Sequence, residues 1–89
     1  MTLHIIKSAR ADTIEQVSKL ITEGDEILLI EDGCYLYSAA KTLGSPTLSL
    51  SDHMQARGLS TKAYNAGIKL ISFKQWALLT HHHPQSTSW

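Results

Sequence analysis

The stretch Glu23-Gly24-Asp25-Glu26-Ile27-Leu28-Leu29-Ile30-Glu31-Asp32-Gly33 decides the fold of this chain. Its four consecutive large apolar residues, Ile27 to Ile30, lack alternation and have turn residues on both sides. This pattern predicts a short strand that is buried on both faces, and such a strand is normally central in a parallel sheet. Asp32-Gly33-Cys34 then follows at the carboxyl end of the strand. In open α/β sheets, ligands and reactive groups gather at that edge.

The residues before this stretch predict a strand and a helix. Leu3 to Ile6 is short and rich in β-branched residues, which favours a first strand. Asp12 and Glu15 have the spacing of a capping box, and Gly24 is placed to end the helix that begins there. Because a helix fills the crossover between the two strands, the strands are predicted to be parallel.

The rest of the chain continues the alternation of helices and strands. A short helix is predicted over Cys34 to Leu43, and the alternating segment Thr47 to Ser51 predicts a half-buried strand near a sheet edge. A short helical segment from Ser51 or Asp52 to Gly58 comes next, and Leu59 to Gly67 resembles a loop with at most one turn.

A fourth strand and a last helix complete the predicted order. The strand covers Ile68 to Ile71, and Ser72 and Gln75 form a second capping-box pattern. A stripe at helical spacing is expected to cover the sheet, and it contains Phe73, Trp76, Ala77 and Thr80. The prediction is therefore an α/β fold with a small, mostly parallel four-stranded sheet flanked by helices, and 89 residues suit a single domain, 1–89.

Composition excludes several classes of function. Eight basic residues balance eight acidic ones and are spread along the chain, which disfavours direct binding of nucleic acid. The single cysteine excludes an intrachain disulfide, no Cys/His set has zinc-finger spacing, and a reducing, cytoplasmic compartment fits. No targeting signal, bilayer-spanning run, dinucleotide fingerprint or phosphate loop is found, so no membrane location and no cofactor is predicted. Only 18% of the residues are charged, which is low for a small monomer and predicts that part of the surface is buried in an assembly. The isolated chain is then expected to self-associate.

Several segments in this order resemble the TusB/DsrH family of sulfur-relay subunits, and the resemblance is closer to the TusB branch. It covers nearly the whole chain and includes Leu3 to Ser8, Glu23 to Gly33, Ala56 to Leu59, Ile71 to Thr80, and Trp89 at the last position. Cys34 departs from the family pattern, where an aliphatic residue is expected, and so does His53, where an Asp is usual. Val17 stands where some DsrH-branch members carry a cysteine.

The resemblance implies a DsrE-like, flavodoxin-like three-layer fold and a function. A member of this family joins homologous TusC-like and TusD-like subunits in a hetero-oligomer that passes persulfide sulfur along a chain of carrier proteins. In the Tus branch the sulfur reaches the wobble uridine of certain tRNAs. The reactive cysteine of that complex belongs to the TusD-type subunit, so the resemblance implies a structural or regulatory subunit without catalytic residues.

Cys34 is nevertheless the one candidate for chemistry. Just past a strand end, its thiolate could carry a persulfide and make the chain a sulfurtransferase in its own right. The alternative is a small buried hydrophobe, which is how free cysteines usually behave. For the chain as a whole, a third hypothesis beside the relay subunit and the sulfurtransferase is a free-standing α/β binding module.

The other polar and aromatic candidates are predicted to have structural or solvent-exposed roles rather than catalytic ones. Asp32 is expected to satisfy local N–H groups in a turn. His81, His82 and His83 are consecutive, cannot all face one ion, and are expected to form a solvated tail without a metal. Trp89 is expected to dock into a groove, either of its own domain or of a neighbour, and a disordered tail is the remaining alternative.

Overall fold

A computed structural model describes residues 1–89 and shows one five-stranded sheet in which every neighbouring pair is parallel. The strands are β1 (Thr2–Ile6), β2 (Glu26–Leu29), β3 (Thr47–Leu50), β4 (Lys69–Ile71) and β5 (Gln85–Ser88), in the order β4-β3-β2-β1-β5. The helices are α1 (Thr13–Leu20), α2 (Tyr37–Lys41), α3 (Ser51–Ala56), α4 (Ser60–Asn65) and α5 (Phe73–His82), and a 3₁₀ helix covers Glu31–Leu36. The predicted parallel α/β architecture is confirmed.

The predicted number of strands is wrong by one, because Gln85–Ser88 forms a fifth strand. This segment pairs in parallel with β1, with Gln85 beside Thr2 and Ser88 beside Ile5. All four of its side chains are polar and exposed, so neither periodicity nor hydropathy marks it as a strand. Without β5, the backbone N–H and C=O groups along this edge of β1 would be unpaired, and hydrogen bonds to them hold the segment in place.

The central strand is the one predicted from the opening stretch. Ile27, Leu28 and Leu29 of β2 are fully buried, as the uninterrupted apolar run indicated. β3 is also buried on both faces, so the prediction of a half-buried strand is wrong. Its two polar residues are buried because their hydroxyls find carbonyl acceptors, Ser45 O for Thr47 at 3.0 Å and Leu29 O for Ser49 at 2.8 Å.

The two faces of the sheet are covered very differently. One face, called here the crowded face, packs against α1, α2, α3 and α4, which contribute Val17, Ala40, Met54 and Ala63 to its core. The other, called here the α5 face, packs against Trp76 and Leu79 of α5. Right-handed crossovers explain this difference, since β1 to β4 progress in one direction and the return from β4 to β5 runs across the opposite face.

The last helix begins as predicted but presents fewer residues to the sheet. The Ser72 Oγ accepts from the Gln75 N–H at 3.2 Å, and the Gln75 Oε1 accepts from the Ser72 N–H at 2.9 Å, which confirms the capping box. Within the predicted stripe only Trp76 is half-buried, whereas Phe73, Ala77 and Thr80 are exposed. The residues of α5 that pack against the sheet are Trp76 and Leu79, so its buried face is narrower than the predicted stripe.

Four local predictions along the crowded face fail. Asp12 does not cap α1, and its carboxylate instead lies 3.2 Å from Arg10 Nη2 and 3.3 Å from Gln16 Nε2. Gly24 lies beyond the end of α1, in a turn with φ +90°. The segment predicted as a loop contains α4, and the helix predicted over Cys34 to Leu43 is divided into the 3₁₀ helix and α2. None of the helices has the length and apolar character needed to cross a membrane.

Candidate functional site

The carboxyl end of β2 carries a strained turn held by a histidine. Glu31 adopts φ +50°, a left-handed conformation that is unusual for a residue with a side chain. Its N–H donates to the Nδ1 of His53 in α3 at 2.8 Å, so the ring nitrogen stabilises the turn. The edge of the His53 ring also packs against Phe73, with ring centroids 5.6 Å apart. The segments that follow β2, β3 and β4 therefore meet at this edge.

A charged pair lies beside this turn. The guanidinium of Arg57 donates to the Asp32 Oδ1 from Nε at 3.2 Å and from Nη2 at 3.0 Å. Arg57 Nη1 also donates to the carbonyl of His53 at 3.1 Å, which fixes the guanidinium against α3. Asp32 is thus engaged by a distant arginine rather than by the local N–H groups that the sequence predicted. Because the Asp32 side chain is 65% exposed, this ion pair contributes little to the stability of the fold, and its carboxylate remains accessible at the surface.

Cys34 points into the protein from the same segment. Its side chain is 0% exposed, and its Sγ lies 3.4 Å from the Ser49 Oγ and 3.9 Å from the Leu29 carbonyl oxygen. Burial raises the pKa of the thiol, and the hydrogen bond to Ser49 only partly offsets this effect. The thiol is therefore neutral and shielded, whereas a nucleophilic cysteine is exposed and has a lowered pKa.

The candidate residues do not converge on a reactive centre. Asp32 faces solvent and Cys34 faces the core, although only one residue separates them. His81 and His82 are exposed, as expected of a solvated tail, but that prediction is wrong for His83. Its ring is buried and its Nε2 lies 2.7 Å from the Glu26 Oε1, at the start of β2. No group of three or more His, Cys, Asp or Glu side chains is arranged to hold a metal ion.

Sequence reasoning missed a second, buried polar cluster on the crowded face. The His4 Nε2 lies 2.9 Å from the Asp25 Oδ2, and both side chains are nearly inaccessible. Asp25 also accepts from the N–H of Thr2 at 2.8 Å and from the N–H of Thr22 at 3.0 Å. Burial disfavours the Asp25 carboxylate, but the hydrogen bonds from His4, Thr22 and Thr2 outweigh burial and hold its pKa below the usual range. A histidine within an otherwise apolar strand was the only signal in the sequence.

Trp89 closes this cluster from the other side. Its indole Nε1 donates to the Nδ1 of His4 at 3.3 Å, and the two rings stack with centroids 6.2 Å apart. Its backbone continues the ladder beyond β5, since its N–H donates to Ile5 O at 2.8 Å and its carbonyl accepts from the Lys7 N–H at 3.2 Å. Of the two docking sites that the sequence left open, the structure shows the one in its own domain.

Replacement of Trp89 by alanine should lower the free energy of unfolding by about 2 kcal/mol. The substitution removes a half-buried indole and leaves the His4 Nδ1 without its donor. Urea denaturation followed by circular dichroism measures the change. Tyr64→Ala is the matched control, because that ring is 74% exposed and its loss should change stability by less than about 0.5 kcal/mol. Equal stability of the Trp89→Ala variant and the parent chain would show that the indole contributes nothing.

The ionisation of Asp25 should make stability depend on pH in the acidic range. A carboxyl whose pKa is depressed on folding stabilises the protein above its unfolded value and loses that contribution as pH falls toward its folded value. The free energy of unfolding should therefore decrease below about pH 4. Urea titrations from about pH 7 to about pH 3 measure it. The Asp25→Asn variant should show a shallower decrease, and an identical pH dependence in both proteins would contradict this assignment.

This chain matches a family model and individual proteins of known family, and both point to the same family. The model of the family described as DsrH like protein matches residues 7–86. Protein TusB of Photorhabdus laumondii subsp. laumondii is 33% identical over 81 residues, which are 82% of this chain and 83% of the relative. Protein TusB of Escherichia coli K12 is 33% identical over 79 residues, which are 80% of this chain and 81% of the relative.

Proposed function

The chain belongs to the DsrH-like family, and on that premise we propose that it is a TusB-like subunit of a cytoplasmic sulfur-relay complex. In this proposal residues 1–89 act as one domain within a hetero-oligomer of homologous TusC-like and TusD-like subunits. The complex passes persulfide sulfur toward the wobble uridine of tRNA. The observation that carries the proposal is the similarity to TusB proteins along four-fifths of the chain.

The environment of Cys34 supports a structural or regulatory role within the complex. Transfer of a persulfide sulfur requires a thiolate that attacks the donor sulfur, so the two sulfur atoms must come into contact. Cys34 is fully buried beneath Ser49, and burial raises the pKa of its thiol. Its exposure to a donor would require the 3₁₀ helix to detach from β2. In this proposal the reactive cysteine therefore belongs to another subunit.

The surface of the chain supports membership of an assembly. Only 18% of the residues are charged, and several large apolar side chains remain more than half exposed. They lie on both sides of the molecule and include Leu20, Tyr35, Tyr64, Phe73 and Leu78. A small domain with scattered apolar side chains of this size can bury them in contacts with related subunits.

Co-expression with TusC-like and TusD-like subunits tests the assembly. The tagged chain should retain both subunits through size-exclusion chromatography with light scattering, and cells that lack their own TusB should regain thiolated wobble uridine, measured by mass spectrometry of digested tRNA. A chain that stays monomeric with these subunits present, and that restores no thiolation, would overturn the proposal.

The Cys34→Ala variant tests the absence of catalytic function. We expect complexes with this variant to thiolate tRNA at the rate of the parent complex, because the thiol makes only a weak buried contact. Urea melts show whether the variant remains folded. A persulfide found on Cys34 by mass spectrometry, together with loss of thiolation in a folded Cys34→Ala complex, would favour a persulfide carrier instead.

A further inference from the structure

The charges of this chain are segregated along the sequence. All eight acidic residues lie at or before Asp52. The remaining residues contain Arg57, Lys62, Lys69 and Lys74 and no acidic side chain. β4, α5 and β5 all lie within this second part, so these three elements contribute positive side chains and no acidic side chain to the α5 face. The carboxylate of Glu26 in β2 is the exception on this face, and it is paired with His83 at the end of α5. A net charge of zero for the whole chain conceals this difference between its surfaces.

A groove on the α5 face lies between α5 and the edge formed by β3 and β4. It has a volume of about 280 Å³ and is lined by Leu48, Lys69, Ile71, Gln75, Leu78, Leu79 and His82. Its floor is apolar, and the aliphatic side chains come from both the sheet and the helix. The groove exists because α5 is the single helix on this face and leaves the β4 side of the sheet without a second helix.

Leu78 lies at the rim of this groove and is 62% exposed. Lys74 precedes it by four residues and His82 follows it by four, so all three lie along one side of α5. Lys69 belongs to the opposite wall of the groove. Neither Lys69 nor Lys74 forms an ion pair with a carboxylate. Asp52 lies in the neighbouring depression that Lys74 also lines.

We propose that this groove binds an acidic amphipathic helix of a partner protein. An apolar row on that helix fills the groove beside Leu78, and carboxylates flanking the row meet Lys69 and Lys74. Such a segment matches both properties of the site, an apolar floor and a positive rim. Nucleic acid fits less well, because two lysines neutralise few phosphates and an aliphatic floor offers no stacking platform for bases.

The inference uses only the surface of this chain and stands independently of the sulfur-relay proposal. A synthetic helical peptide of about five turns serves as the probe. It carries leucine along one face, at the spacing i, i+3, i+4 and i+7, and glutamate at the positions on both sides of that face. A matched peptide replaces every glutamate with lysine. Titration of the ¹⁵N-labelled full chain, followed by amide chemical shifts, gives both the affinity and the residues affected.

The glutamate peptide should bind at least tenfold more tightly than the lysine peptide and shift amides of β4 and α5. The double variant Lys69→Glu, Lys74→Glu should reverse this preference, and Leu78→Ser should weaken binding of the glutamate peptide at least tenfold. Lys62→Glu and Tyr64→Ser on α4 are the matched controls and should leave binding unchanged. Chemical shifts in the unperturbed regions verify that each variant is folded.

Three results would overturn the proposal. The first is equal affinity for the two peptides, which would remove the role of charge. The second is a set of shifted amides outside β4 and α5, which would place binding elsewhere. The third is tighter binding of a short single-stranded RNA than of the glutamate peptide at the same amides, which would make nucleic acid the preferred occupant.

Discussion

The Asp25→Ala variant is expected to lose roughly 3–5 kcal/mol of its free energy of unfolding. The Asp25 carboxylate accepts hydrogen bonds from His4, from the N–H of Thr2 and from the N–H of Thr22. Alanine accepts none of them, so the buried ring of His4 and the partly buried N–H groups of Thr2 and Thr22 lose their acceptor. Each buried donor without a partner costs about 1–3 kcal/mol. A chain of this size has little stability beyond that loss.

Chemical denaturation in urea near neutral pH measures this effect, and circular dichroism at low temperature reports whether the variant folds at all. Asp52→Ala is the matched control, because that exposed carboxylate makes no hydrogen bond within the protein, and its loss should change stability by less than about 0.5 kcal/mol. Asp25→Asn retains one carbonyl acceptor and should lose less than Asp25→Ala. A loss below about 1 kcal/mol for Asp25→Ala would refute the anchoring role of this residue.

The Gly33→Ala variant is expected to lose at least about 3 kcal/mol, through a steric conflict between two backbone segments. A Cβ at this position would overlap the carbonyl oxygen of Ile6 and would lie 2.6 Å from its carbonyl carbon. Ile6 cannot move aside, because β1 is paired on both sides and its carbonyl accepts from the N–H of Ile30 at 3.0 Å. The 3₁₀ helix would have to lift away from the sheet instead.

A second glycine variant separates this steric effect from backbone strain. Gly58 adopts φ +68° and an added Cβ would meet nothing within 4 Å, so Gly58→Ala should cost only about 1–2 kcal/mol. Urea midpoints of the two variants, measured under the same conditions, give the comparison. A Gly33→Ala protein as stable as Gly58→Ala would mean that the 3₁₀ helix adapts to the added methyl group.

Sequence patterns predicted the parts of the fold that depend on side chains close together in the chain. Ile27 to Ile30 indicated a central strand because burial of both faces requires an uninterrupted apolar run, and Ser72 with Gln75 indicated a helix start because a capping box is local. β5 could not be predicted, since its polar residues are held by the backbone of β1 rather than by their own side chains.

The polar clusters were beyond prediction for a related reason. His4 and Asp25 are 21 residues apart, and only the register of β1 beside β2 brings them together. Cys34 and Ser49 likewise meet only because the 3₁₀ helix that follows β2 folds back over the neighbouring strand β3. The sequence reading of Cys34 as a buried hydrophobe agrees with its geometry, whereas the interaction of Asp32 with Arg57 depends on the placement of α3.

The docking of Trp89 has a consequence for what this fold is free to do. The strand order reverses direction at β1, and in open parallel sheets the crevice at such a reversal, beyond the carboxyl ends of the strands, is the usual cleft for nucleotides and other small molecules. Here the backbone of Trp89 forms hydrogen bonds with Ile5 and Lys7, so the chain beyond β5 stays paired with the end of β1 at that place. The Trp89 ring stacks on His4 of β1. Backbone pairing therefore extends into the place where folds of this type usually bind a small molecule, and the exposed surfaces of the domain are the other places available for contact.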